Sequence, residues 1–421
     1  MSLKLTSRKA KIIETIFLFF IVASISFSFF RPIQSGIGQI GIKAERLDIG
    51  DRNFYINDNS PFSESGYESF KGGPLYPTIL KGISFISVNI FKQDTTSFFW
   101  NAITILISSI LTFLNFRLVY ASGKILCDEN AGILAICFLT FCPYTYFYAL
   151  SGGITIYTLF GSTLSTYLIL KINSNSKKKG LQNRVFIQKI FLGLILIYLS
   201  LLRPSGIVFS IIISLIMIIL EINNLINFRV NKNKSLIIIS SFFFALIFGI
   251  DQLFDTLNYS LKTMYYFSIE KGTFMGIERD LIRNKIRILQ ESPQISRNIE
   301  GYFYKFLWKI NDFYTGMIDI RDTHNLLNVK LLSFLMRVST GTFWLAPLTY
   351  IFILGTFVWK KYLLKSGLWI IILASFIAIS PSLIGVAMSR YYFMFIAPFL
   401  LVASMTISKI YKYKVVEENN I

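Results

Sequence analysis

The stretch Ile190-Phe-Leu-Gly-Leu-Ile-Leu-Ile-Tyr-Leu-Ser-Leu-Leu202, then Arg203-Pro204-Ser205-Gly206, then Ile207-Val-Phe-Ser-Ile-Ile-Ile-Ser-Leu-Ile-Met-Ile-Ile-Leu220 decides the class of this chain. It is too long for one span, and a single Arg-Pro step breaks it. Proline starts a helix more readily than it continues one, so the stretch reads as two apolar helices joined by a turn. Each half holds about 14 residues, which at 1.5 Å rise covers about 21 Å, less than a hydrocarbon core of about 30 Å. The spacing therefore predicts a turn recessed below the membrane surface, with Arg203 in it.

The same apolar pattern recurs from end to end. Runs lie at Ile12–Phe30, Phe98–Tyr120, Ala131–Leu150, Ile154–Leu170, Leu236–Leu253, Thr342–Trp359, Gly367–Gly385 and Tyr391–Ile407, which with the two halves above makes ten expected spans. Of the 421 residues 53% are hydrophobic and only 15% charged, against about 25% charged in soluble domains. Soluble enzymes and disordered scaffolds are excluded. A β-barrel is excluded too, because its strands would alternate over about 10 residues whereas these runs are continuous. The net charge of +19 sits in short clusters between the runs and forms no aromatic-interleaved stripe, so nucleic acid is not an expected partner. One His and the three cysteines Cys127, Cys137 and Cys142 show neither zinc spacing nor a disulfide framework, and no metal ligand is assigned.

Charge sets the orientation. Lys4, Arg8, Lys9 and Lys11 precede the first run, which is too long for a signal-peptide core and reads as an uncleaved first helix. The run Pro74–Phe91 holds two prolines and Lys81, and a Lys at the bilayer centre costs about 2.5–3.5 kcal/mol. If it does not cross, Lys177, Lys178, Lys179 and Arg184, then Arg229, Lys232 and Lys234, then Lys360, Lys361 and Lys365, and finally Lys409, Lys412 and Lys414 all fall inside. Pro74–Phe91 is therefore expected as an interfacial or re-entrant helix, with both termini cytoplasmic.

Three regions follow: an N-terminal transmembrane module 1–253 with a first outer loop at 31–97, a large extracytoplasmic loop 254–341, and C-terminal helices with a short tail at 342–421. Within the large loop, Arg297–Asp319 places Ile299, Phe303, Phe306, Ile310, Phe313 and Met317 at helical spacing, an amphipathic helix on the outer surface or inside a small outer domain. Tyr302, Tyr304 and Trp308 fit membrane anchoring, and His324 a solvated loop.

The first outer loop reads Glu45-Arg-Leu-Asp-Ile-Gly-Asp51-Arg-Asn-Phe-Tyr55, and further on Lys71-Gly-Gly-Pro-Leu-Tyr76-Pro77. Asp51 and Tyr55 lie four apart, so a helix would set them on one face. An Asp-x-x-x-Tyr element after the first helix, followed by Pro74-Leu-Tyr-Pro-Thr-Ile-Leu80, resembles the GT-C superfamily of membrane glycosyltransferases. The likeness is to the branch with protein O-mannosyltransferases and the bacterial aminoarabinose transferases. Leu202-Arg-Pro-Ser-Gly206 resembles that family's Arg-Pro-(Thr/Ser)-Gly turn. Ser389-Arg390-Tyr391-Tyr392 with Ala397-Pro398 resembles its late Arg-Tyr and downstream proline, and Cys142-Pro143 its proline-ended helix. The likeness covers about the first 220 and the last 40 residues. Many members carry Asp-Glu at the first motif, and here Arg52 follows Asp51.

The resemblance implies an all-helical membrane fold and an inverting transfer of sugar from a polyprenyl-phosphate carrier to a lipid, glycan or protein acceptor, on the outer side of a membrane, expected to be a bacterial inner membrane. Such a leaving group is an anionic phosphate and needs cations rather than a proton donor, whereas the attacking hydroxyl needs a carboxylate. Asp51 is the expected base and Tyr55 its positioning partner. Arg203 and Arg390, with Tyr391, Tyr76 and Lys71, are the expected binders of lipid phosphate and sugar. No cofactor is assigned, and a divalent metal stays open. Two other readings compete. An O-antigen polymerase or ligase would need no acidic motif after the first helix. A transporter of lipid-linked sugars would carry charged residues inside several spans.

Overall fold

A computed structural model describes residues 7–30, 75–92, 98–142, 145–146, 149, 153–178, 180–227, 232–265, 346–384 and 392–418. Asp51, Tyr55 and Lys71, the segment 266–345 with its expected amphipathic helix, and Arg390 and Tyr391 lie outside the described residues.

The regular elements among the described residues are helices. In chain order they are α1 (Arg8–Phe30), α2 (Leu75–Phe85, continued by a π-helical turn Ile86–Ile90), α3 (Phe98–Leu126), α4 (Glu129–Thr140), α5 (Ile154–Ser176), α6 (Gln182–Leu202), α7 (Pro204–Ile226), α8 (Lys232–Tyr265), α9 (Ala346–Val358), α10 (Lys360–Ser366), α11 (Leu368–Ile384) and α12 (Ala397–Glu418). Four windows, Ala102–Leu126, Gln182–Leu202, Ser205–Ile226 and Lys232–Leu253, are long and apolar enough to cross a membrane; a fifth joins them if α10 and α11, bent by 97°, count as one. The chain is an integral, multi-pass membrane protein.

Two helices form the axis. From Ile154 to Leu170, α5 is buried on almost every side, and so is α12 from Ala397 to Thr406. A helix apolar all round belongs in the interior. Around this axis α5 packs on α3, α6, α11 and α12, while α12 packs on α3, α4 and α9. Lipid gives no hydrophobic drive between helices, so close packing must come from small residues and hydroxyls. Accordingly α5 buries Thr155, Thr158, Ser162, Thr163, Ser165 and Thr166. Thr158, Ser165 and Thr166 donate to the carbonyl four residues back at 2.8–3.0 Å, which satisfies each hydroxyl inside its own helix. At Gly161 an added Cβ would come within 2.6 Å of the Leu199 side chain, so the α5–α6 approach needs a small residue there.

The α6–α7 pair departs from the expected geometry. The helices hold 21 and 23 residues, about 32 and 35 Å of rise, so neither is a short half-span. Each continues past its apolar run through a charged residue, Lys189 in α6 and Glu221 in α7. These two form an ion pair with the carboxylate buried and the amine partly so, and Ser235 of α8 donates to the other Glu221 oxygen at 3.1 Å. Charges that end an apolar run in the sequence cancel each other across the helix interface.

More pairs gather toward the same end of the bundle. Glu14 of α1 pairs with Arg117 of α3, beside a Phe17–Phe116 stack at 4.6 Å. At the α3–α4 corner Asp128 caps α4, accepting from the Ala131 amide at 2.8 Å. The same carboxylate accepts from Ser408 at 3.0 Å and from Lys412 at 2.5 Å, both on α12. Tyr362 donates to the Leu126 carbonyl, and Lys409 Nζ sits 3.7 Å from the Tyr362 ring centre and 4.1 Å from that of Trp359. Burial pushes the Asp128 carboxyl up. The Lys412 hydrogen bond, the Ala131 amide, the Ser408 hydroxyl and the Lys412 charge together outweigh that and hold it below its ordinary 3.8.

Candidate functional site

The opposite end of the bundle is built around the Arg203 turn. Arg203 has an extended backbone (φ −161°, ψ 152°) that ends α6 and starts α7, with Pro204 in the first helical turn. The fixed proline φ suits that position, and its missing N–H is one a helix start leaves unpaired anyway. Gly206 closes the turn. A Cβ there would lie 2.3 Å from the Leu199 carbonyl oxygen and 3.0 Å from its carbon. Backbone cannot yield as a side chain can, so this position requires glycine. The Arg203 side chain makes no cap on α7, which leaves the partial positive charge of the helix start in place beside the guanidinium.

Arg203 is only 6% exposed. With both flanking helices long, packing rather than a recessed turn covers it. Its Nη1 stands 4.0 Å from the Met394 sulfur, across 191 residues of sequence. Met394 belongs to a short buried segment, Tyr392–Ile396, that leads into α12. Ser162 of α5 holds this segment by donating to the Met394 carbonyl at 2.5 Å, and Phe395 packs on Phe209 of α7 with ring centres 5.0 Å apart. Tyr392 shares a hydroxyl hydrogen bond with Thr349 of α9 at 3.2 Å and meets Phe399 edge-on at 4.8 Å. Arg390 and Tyr391 stand four and three residues before Met394 in the chain.

Tyr76 arrives at the same end from α2. That helix buries Tyr76, Leu80 and Ile83 on one stripe and exposes Phe85, Ile86 and Ile90. The Tyr76 ring meets Tyr157 of α5 edge-on at 5.6 Å, and the Tyr198 hydroxyl of α6 donates to the Tyr157 carbonyl at 3.2 Å. Of the seven residues singled out in the sequence, the structure describes Arg203 and Tyr76 and brings both to the α5–α6 end. Asp51, Tyr55, Lys71, Arg390 and Tyr391 lie outside the described residues. Met394, Ser162, Tyr157 and Tyr198 were not foreseen. A tyrosine or methionine in an apolar run reads as an ordinary membrane residue, and a contact across 191 positions leaves no local spacing to find.

Among the described residues, no group of three or more His, Cys, Asp and Glu could hold a metal ion. The acids between Arg31 and Ser97 are outside that set.

No family model matches the sequence, and no curated protein matches it either. Solved structures do. An archaeal oligosaccharyltransferase, AglB from Archaeoglobus fulgidus in complex with an inhibitory peptide and a dolichol-phosphate, aligns over 97% of this chain and 52% of its own, with a TM-score of 0.50 at 14% identity. The Archaeoglobus fulgidus oligosaccharyltransferase complexed with Zn and sulfate aligns over 96% and 49%, with a TM-score of 0.53 at 14% identity. The likeness is one of fold: this chain shares a helical membrane fold with the aligned part of these oligosaccharyltransferases. It spans about half the length of the structures it matches.

Proposed function

We propose that the protein is an inverting glycosyltransferase that moves a sugar from a polyprenyl-phosphate carrier to an acceptor hydroxyl at the outer face of the membrane. The observation that carries this reading is the contact of buried Arg203 with Met394. It joins the Arg-Pro-Ser-Gly turn to the segment that follows Arg390-Tyr391, on a fold shared with an enzyme solved with a dolichol-phosphate.

The chemistry follows from the residue types. The acceptor oxygen attacks the anomeric carbon, the carbon–oxygen bond to phosphate breaks, and the electron pair leaves on the phosphate oxygen. Arg203, with the uncapped start of α7, faces that growing negative charge, and a guanidinium matches phosphate with a two-pronged fork. Asp51 takes the hydroxyl proton. Tyr55 orients Asp51 or the sugar, and Arg390, Tyr391, Tyr76 and Lys71 complete the donor site.

The topology belongs to the same proposal: ten crossings, both termini cytoplasmic, α2 at the outer interface, and the Arg203 turn outward. In a Cys-free background, a membrane-impermeant thiol reagent applied from outside should label a cysteine placed at Lys71 and spare one at Lys178. The reverse pattern would overturn the orientation.

A transport reading calls for charges inside spans, and Glu14, Arg117, Lys189 and Glu221 do lie within helices. They are consumed in two interhelical pairs. Lys189 is 14 and Glu221 18 residues from Arg203, about 21 and 27 Å along a helix. Such pairs tie helices together and line no route past the Arg203 turn.

The deciding assay is product formation from a purified polyprenyl-phosphate sugar. Asp51→Asn should lower turnover about 10²–10⁴-fold while donor binding persists, the usual loss for a general base. Asp48→Asn and Asp58→Asn, in the same loop, should retain most activity. Full activity in the Asp51 variant would remove the base from this loop.

A further inference from the structure

At the end of the bundle away from the Arg203 turn, a group of exposed lysines gathers around one bend of the chain. Trp359 separates α9 from the seven-residue α10, and Gly367, with φ +76°, turns the chain into α11 at 97° to α10. Only a residue without Cβ takes that left-handed conformation without strain. The bend sets α10 across the direction of α11, as an elbow at this end of the bundle. Leu363, 3% exposed, fixes α10 to the protein body. Lys361 and Lys365, four apart, stand on the face opposite Leu363 by helical periodicity, and both are exposed with Lys360.

The end of α5 joins this face. Asn173 donates to the Lys365 carbonyl at 2.6 Å and Lys177 reaches the same oxygen at 3.5 Å. Lys177 and Lys178 are exposed beside it. Four acids at this end are already engaged: Asp128 by Lys412, Glu129 by the Tyr120 hydroxyl at 3.0 Å, Glu221 by Lys189 and Glu14 by Arg117. Trp359 and Tyr362, aromatic residues of the kind enriched at lipid headgroup level, flank the lysines.

We propose that α10 and the last turn of α5 form a binding site for the phosphodiester headgroup of an anionic glycerophospholipid in the adjoining leaflet. Lys361, Lys365 and Lys177 supply the charge, and the elbow sets their depth. Clustered lysines at a membrane surface attract anionic lipid. What separates a site from a general basic belt is the fixed elbow that groups them.

Lipid retention needs no sugar transfer to be read, so this inference stands or falls apart from the enzymatic one. The intact protein is purified with equal phosphatidylglycerol and phosphatidylcholine, and bound lipid is counted by native mass spectrometry. Wild type should retain phosphatidylglycerol several-fold over phosphatidylcholine, and the Lys361→Gln/Lys365→Gln double variant should lose at least threefold of that preference. Arg184→Gln/Lys232→Gln removes the same charge from two exposed positions off the elbow and should keep it. Thermal unfolding in pure phosphatidylcholine should be alike for all three proteins, since the altered side chains are exposed. Equal loss in both double variants would reduce the effect to a diffuse belt, and absence of preference in wild type would overturn the site outright.

Discussion

The two ends of this helical bundle handle charge in opposite ways. At the end with Lys189, Glu221, Asp128 and Lys412, cations and carboxylates meet across helix interfaces and neutralise each other. At the other end Arg203 is packed against a thioether, next to a helix start that its own side chain does not cap. The first arrangement holds helices together. The second sets a buried guanidinium beside the start of a helix. Under the proposed function, similar residue types serve stability in one place and recognition in the other, and the difference lies in what they are packed against.

The contrast can be broken most directly at Arg203. Arg203→Ala should reduce turnover with a polyprenyl-phosphate sugar by about 10²–10³-fold, the scale of losing one preorganised donor to a developing oxyanion. Arg203→Lys should fall between, keeping charge and losing the fork. Single-turnover rates and donor affinity in nanodiscs read both. Unchanged values in the two variants would make the Arg203 end as structural as the Asp128 end.

Gly206→Ala sharpens the same point through the backbone. The new Cβ would press on the Leu199 carbonyl, so the turn must open, at about 1–3 kcal/mol as for other overpacked sites. The expected result is a lower unfolding midpoint together with weaker donor binding, because the same shift displaces Arg203. A midpoint loss with full donor affinity would uncouple turn from site.

At the Asp128 end the effect should be smaller and confined to stability. Asp128→Ala removes a helix cap worth about 1 kcal/mol, and turnover should not change. The sign with pH is fixed by the lowered Asp128 value. A carboxyl held below its ordinary range stabilises the fold above that range and loses the contribution as pH falls through the depressed value. Wild type and Asp128→Ala should therefore differ near neutrality and converge in acid, as followed by thermal unfolding. A constant gap at every pH would place the effect in packing instead.

Much of the architecture is legible in the sequence because lipid imposes long continuous apolar runs. The Arg203-Pro204 break marks a helix boundary that the structure places at the same residues. The length of α6 and α7 is not legible in that way. Lys189 and Glu221 look like the ends of spans when read alone, and only their pairing across the interface lets both helices run on. The candidate site is legible in part. An arginine between two apolar runs stands out, as does a tyrosine beside two prolines at Tyr76. Met394 and Ser162 do not, since their contact depends on the interlocking of α5 with the start of α12.

The Lys189–Glu221 pair also bears on how the protein is made. A lysine or an acid in a membrane helix costs up to about 2.5–3.5 kcal/mol at the centre and less toward an end, where these two residues stand. Either helix presented alone to the insertion machinery would carry its charge uncompensated. One residue, Arg203, links α6 to α7, so the partner charge emerges from the ribosome as the very next helix. The two should therefore partition into lipid as a hairpin rather than in succession. A nascent chain ending before Glu221 would leave α6 poorly committed to the bilayer, and synthesis of α7 would complete the insertion of the helix before it.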